Sequence, residues 1–296
     1  MWLLTVMVVL MNIPVFVVTP RLKDTSEATK ITMISLAVTD ITLGIEYTLR
    51  LCYFTARGRF YFEEDYLCHI DGLVQAMLGA ISINTIVYLC IDRVITIKYP
   101  LYYPIYFTKK VVISIQIGIW LFATSSLFIG HFIFGMEIGM VEYAGFCTFI
   151  PQKSLATLIA TVACFGVPVL VLLTCAIVLY HVVHQQIVQI RAQENATAAT
   201  PATQSLVSHS RALKTIFCMV AGYYICFTPA MVLQLIWVYL YGYTFSPISD
   251  GVTSWFAFSN SMINSLVYLP TIKEYGEIFK RIFIPKMCQP HAEPNQ

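Results

Sequence analysis

Seven apolar runs, each long enough to cross a lipid bilayer, limit this chain to very few architectures. They cover residues 2–19, 31–52, 68–91, 111–135, 155–180, 212–240 and 248–269, with polar connectors between them. A spanning helix needs about 20 apolar residues, and a backbone in lipid must satisfy its own hydrogen bonds. Composition agrees: 58% of the 296 residues are hydrophobic and 11% are charged, where a soluble domain carries about 25% charged residues. The reading is all-α: a seven-transmembrane helix bundle over residues 1–270, then a short cytoplasmic amphipathic helix and tail over 271–296. The first run starts at Met1 without a signal-peptide pattern; either the outer end is very short or a further segment stands upstream, and the second is the expectation.

Charge gives the orientation. Fourteen of the eighteen lysines and arginines fall on alternate connectors and the tail, while Arg50, Arg57, Arg59 and Lys153 fall on the other side. The positive-inside rule puts the N-terminus outside and the C-terminus in the cytoplasm, as for a multi-pass plasma-membrane protein. The outer connectors carry Glu63, Glu64, Asp65, Asp71, Glu137, Glu142 and Asp250; these either attract cationic ligands or simply solvate the loops. The inner connector around residues 183–210 is rich in Ala, Thr, Gln and Ser and reads as flexible. Asn195-Ala-Thr within it fits a glycosylation acceptor, a chance match in a cytoplasmic loop.

Other membrane classes fit poorly. There is no internal repeat of the kind many transporters show, and no symmetric pore-lining ring. No paired nucleophile and base marks an enzyme. His69, His131, His181, His184, His209 and His291 are scattered towards ends and loops, so no metal site is expected.

Each run instead carries its own odd polar residue. Asp92-Arg93 closes the third, where a charged pair is costly to bury. The first has Asn12, the second Leu36-Ala37-Val38-Thr39-Asp40, the fourth Trp120 and the fifth Pro168. The sixth has Cys226-Phe227-Thr228-Pro229, and the seventh Asn260-Ser261 and Asn264-Ser265-Leu266-Val267-Tyr268. In this order and at these depths, the chain resembles the rhodopsin-like (class A) G-protein-coupled receptors over nearly its whole length, on an amine-receptor-like branch.

The resemblance implies roles. Asp40, Ser82, Asn260, Ser261 and Asn264 match the family's sodium pocket, so a sodium ion is the expected allosteric ligand; the alternative is a dry hydrogen-bond network. Arg93 would contact a heterotrimeric G protein and pair with Asp92 at rest. The usual acid at the inner end of the sixth helix is replaced by His209, near Arg211. That restraint is then missing or pH-dependent, and raised basal activity is expected. Ile83, Pro168 and Tyr223 match the packing switch, with Phe227 above the kink at Pro229. Ser265 replaces the proline usual before Tyr268, which implies a weaker kink. Cys68 and Cys147 match the family's outer disulfide. Cys52 reads as a membrane-embedded thiol, and Cys288 in the tail is either palmitoylated or unmodified.

The ligand is expected among Gln75, Ala76, Gly79, Thr161, Cys164, Phe165, Phe227, Met231, Gln234, Ser254, Trp255 and Phe258, an aromatic, mostly apolar set. Amine receptors place an aspartate where Gln75 stands. Glu46 is a possible substitute, although Arg50 follows one turn later and an intrahelical pair is the blander reading. Arg50 alone could instead hold a carboxylate ligand. No lysine lies between Lys214 and Lys273, which rules out a retinal Schiff base in the seventh helix. No cofactor is expected.

Overall fold

A computed structural model describes residues 2–23, 25–57, 65–141, 146–149, 155, 158–159, 162–194, 217–229, 232–233, 236 and 247–283. The long helices are α1 (Trp2–Val18), α2 (Glu27–Arg57), α3 (Asp65–Lys98), α5 (Lys109–Phe132), α6 (Val167–Glu194) and α8 (Pro247–Thr271). A further helix, α7, is described over Phe217–Pro229. Among the described residues, α1, α2, α3 and α5 are each long and apolar enough to cross a membrane by themselves.

Helical spacing decides which face turns inward. On α1, Thr5, Val8, Asn12 and Val15 are buried, while Leu3, Val6, Leu10 and Ile13 are exposed. Both stripes recur every three or four residues, as one helix with a protein face and a lipid face requires. Gly44 of α2 lets the first two helices close: a methyl there would meet Val9 Cγ2 at 2.8 Å. Small residues set such approaches because lipid gives helices no hydrophobic reason to associate. The α3 helix runs through the middle, packed on α2, α5 and α6. One apolar cluster joins Met33, Leu36, Ile83, Leu172, Tyr223, Val267 and Tyr268 from five helices.

Three further elements complete the fold. A single turn, α4 (Tyr103–Tyr106), follows α3. An antiparallel hairpin of β1 (Ile138–Val141) and β2 (Phe146–Phe149) follows α5, with Met140 opposite Cys147. Neither was expected from the sequence. The hairpin lies against α3, where Gly72 makes room: a methyl would meet Ile138 Cγ2 at 2.5 Å. Finally α9 (Lys273–Phe283) packs on α8 and α1. Its Tyr275 is buried beside Tyr268, with ring centroids 5.8 Å apart, while Lys273, Glu277, Lys280 and Arg281 face out. This is the amphipathic helix expected after the seventh span.

Candidate functional site

Three groups of polar residues are strung along the bundle, all touching or facing α3. The middle one is Asp40, fully buried on α2. Asn264 Nδ2 of α8 donates to Asp40 Oδ2 at 3.3 Å. Four more oxygens here are buried without a hydrogen-bond partner: Asp40 Oδ1, Ser82 Oγ, Asn260 Oδ1 and Asn264 Oδ1. Ser261, from the same helix, is also buried. One carboxylate with several neutral oxygens is the donor set of a hard cation, and unsatisfied buried acceptors are costly. The residues therefore fit a sodium ion.

Asn12 lies one layer away. Its Nδ2 donates to the carbonyls of Val8 at 2.8 Å and Ser261 at 3.1 Å, and its oxygen accepts from the Ser265 hydroxyl. Ser265 thus has a structural partner of its own.

The second group closes the inner end of α3. Asp92 is buried and pairs with Arg93 Nη2 at 2.7 Å. It also accepts a short hydrogen bond from the Tyr103 hydroxyl of α4. Arg93 reaches across to α2, to the Thr29 hydroxyl and to Ser26 Oγ at 3.3 Å. The expected Asp92–Arg93 pair is present. Tyr103, Thr29 and Ser26 were not anticipated. Tyr103 gave no signal, because a tyrosine in a short connector looks like any surface aromatic. Burial, and then the hydrogen bond to Asp92, pushes its phenol up to about 12.

The third group lies at the hairpin end. Arg50 of α2 is almost fully buried. It pairs with Glu46 on its own helix and with Asp71 Oδ1 of α3 at 2.8 Å. Its guanidinium sits 4.3 Å from the Tyr47 ring centroid. Asp71 Oδ2 also accepts from the Cys147 backbone N–H at 3.0 Å. Read from the sequence as one of the outer-connector acids, Asp71 is instead buried inside a helix. The signal was available: Cys68, Asp71 and Gln75 follow at three and four residues, one helical face. Gln75 Nε2 donates to Tyr47 Oη at 2.9 Å, and the Tyr47 and Phe258 ring centroids lie 3.6 Å apart. The Cys68–Cys147 disulfide is formed. Cys52 is exposed on the helix surface.

The other anticipated residues are spread out. Gly79 faces open space, with no atom within 4 Å of where a methyl would sit. Ala76, like Trp120 and Phe149, packs against the buried cluster of Ala80, Ile81, Ala123 and Leu127. Phe227 stacks on Tyr223 at 4.8 Å inside the cluster that also holds Ile83 and Tyr268. Pro168 is buried just after a π-turn at Val162–Gly166, and Pro229 is exposed at the end of α7. Trp255 is 51% exposed. Thr161, His209, Met231, Gln234 and Cys288 lie outside the described residues, as do the side chains of Cys164, Phe165 and Ser254.

Comparison with known proteins agrees with this arrangement. The model of the 7 transmembrane receptor (rhodopsin family) matches residues 11–268. The chain belongs to this family: it is a rhodopsin-like, multi-pass membrane receptor. Similar proteins include trace amine-associated receptor 5 of Homo sapiens, 24% identical over 96% of this chain and 84% of that one. Trace amine-associated receptor 1 of Mus musculus is 23% identical over 94% and 85%. The crystal structure of squid rhodopsin superposes with a TM-score of 0.79 at 17% identity, covering 97% of this chain and 85% of that one; that likeness concerns the fold alone.

Proposed function

We propose that this receptor binds a small extracellular ligand at the hairpin end of the bundle and activates a heterotrimeric G protein through Arg93. The observation that carries the reading is the restraint on Arg93, tied to Asp92 and, across the helix gap, to Thr29 and Ser26. Across the helix gap Arg93 is held by two neutral hydroxyls, and those bonds can be released at modest cost while Asp92 stays its neighbour on α3. Releasing it frees a docking point for a partner. The orientation that goes with this is N-terminus outside, from the lysine and arginine distribution.

Gln75 and Gly79 on α3 and Phe258 on α8 support a pocket there: an amide bonded to Tyr47, open space, and an aromatic ring against the same tyrosine. Sodium binding at Asp40 belongs to the resting form. Asp40, Ser82, Asn260, Ser261 and Asn264 would hold the ion, which would supply the charge those oxygens lack. The test is guanine-nucleotide exchange on purified Gα subunits by the receptor in lipid nanodiscs. Wild type should accelerate GDP release from at least one Gα class, and Arg93→Ala should abolish it. No acceleration from any class by folded receptor would end this reading.

A further inference from the structure

Two histidines far apart in sequence meet at the hairpin end. His69 Nδ1, on α3 beside Cys68, lies 3.3 Å from His131 Nε2 at the end of α5. Both side chains are half-buried, so they are held yet reachable. The other nitrogen of His131, Nδ1, is 2.7 Å from the Met136 carbonyl oxygen. A carbonyl can only accept, so Nδ1 carries a proton, and in the neutral ring Nε2 then presents a lone pair towards His69. The sequence builds this contact deliberately. Gly135 adopts φ +66, which turns the chain back after α5 and delivers the Met136 carbonyl to the ring.

We infer that His69 and His131 form a binding site for a divalent transition-metal ion of the zinc class. Zinc sits about 2.0–2.1 Å from imidazole nitrogens in tetrahedral geometry, which separates two such nitrogens by about 3.3–3.4 Å. The observed separation is 3.3 Å. Ring inclination points the same way. With each nitrogen about 1.2 Å from its ring centre, a head-on hydrogen bond of this length would put the centroids about 5.7 Å apart. They are 5.1 Å apart, with the planes at 43°, so the contact is bent, as two rings sharing one tetrahedral ion also require. A histidine that ligates a metal almost always donates its other N–H to a carbonyl or carboxylate, and Met136 already fills that role. For His69 to bind, its proton moves from Nδ1 to Nε2, and no net charge is released.

Two imidazoles fill two of four positions, and water takes the others. Among the described residues no third histidine, cysteine or carboxylate joins them, so the ion exchanges readily. Imidazole suits zinc and copper, whereas calcium and magnesium need oxygen ligands. A bound ion would clamp α3 to α5 next to the disulfide.

The site is tested by calorimetric titration of EDTA-treated full-length receptor in nanodiscs with Zn2+, with Mg2+ as the control ion. One saturable zinc site is expected, with no magnesium binding. His69→Gln and His131→Gln should each weaken it by about tenfold or more. His181→Gln/His184→Gln should leave it unchanged, because that pair lies exposed on α6. Cobalt absorption spectra of wild type provide a readout that needs no variant: bands of a nitrogen-ligated, four-coordinate ion are expected. Absence of saturable zinc binding, equal binding in the double variant His69→Gln/His131→Gln, or purely oxygen-ligated cobalt spectra would overturn the assignment. None of these outcomes bears on G-protein coupling, which is measured with magnesium present and no zinc added.

Discussion

The Ser265 hydroxyl of α8 donates a hydrogen bond to the side-chain oxygen of Asn12 on α1. The family's usual proline could not make this bond. In this chain a polar tie joins the seventh span to the first, two helices that pack on each other. Ser265→Ala strands a buried acceptor on Asn12, at a cost of about 1–3 kcal/mol. A lower melting temperature in nanodiscs is expected. A double-mutant cycle with Asn12→Leu should return a favourable coupling for the pair; additive effects would show that the bond contributes nothing.

At the hairpin end, one guanidinium serves two carboxylates. Arg50→Ala leaves Glu46 and Asp71 facing each other without a counter-charge, and breaking a buried pair from one side costs about 3–5 kcal/mol. The receptor should lose most of its cell-surface expression. Asp71→Asn keeps the shape and the acceptor for the Cys147 N–H, so it should cost less. Equal expression of Arg50→Ala and wild type would show that the cluster is not structural.

The inner restraint can be loosened one bond at a time. Tyr103→Phe removes the hydroxyl that Asp92 accepts, and Thr29→Val removes one that holds Arg93. Each is a hydrogen bond to a charged group, worth about 1.5–3 kcal/mol. If that energy favours the resting state, basal nucleotide exchange should rise about tenfold or more in each variant. The sign of the pH dependence follows from a raised tyrosine value. The Tyr103 contribution is whole below the ordinary value near 10 and fades only as pH climbs through about 12. Basal exchange of wild type should therefore be insensitive to this group between pH 6 and 8, conditions chosen only to bracket neutrality.

Sodium should stabilise the folded receptor by mass action, about 2.7 kcal/mol at a hundredfold excess over its dissociation constant. Replacing sodium by N-methylglucamine at constant ionic strength should lower the melting temperature of wild type and leave Asp40→Asn unmoved. A variant that keeps the full sodium response would show that the buried oxygens around Asp40 are satisfied in some other way.

Much of this architecture was legible in the residues. Membrane helices announce themselves because lipid forbids the alternatives, and the inward residues Asn12, Asp40 and Asp92 stand out as unexplained polarity in apolar runs. What stayed hidden was pairing across distance. Asp71 looked like loop charge because its partners, Arg50 and Cys147, lie on other elements. His69 and His131 looked scattered because 62 residues separate them. Tyr103 and Thr29 are chemically ordinary, and only the fold makes them neighbours of a charge. The hairpin was missed for a different reason: four-residue strands carry too little alternation to be told from loop.

The Asp71 and Asp92 carboxylates sit on the same unbroken helix, about 31 Å apart along its axis at 1.5 Å per residue. Everything fastened near the top of that rod, by sulfur, by salt bridge or by amide, shares a stiff spine with the arginine at the bottom. On the proposed function, a ligand that nudges the hairpin sideways or turns it a few degrees would be gripping the handle of a key whose bit is Arg93.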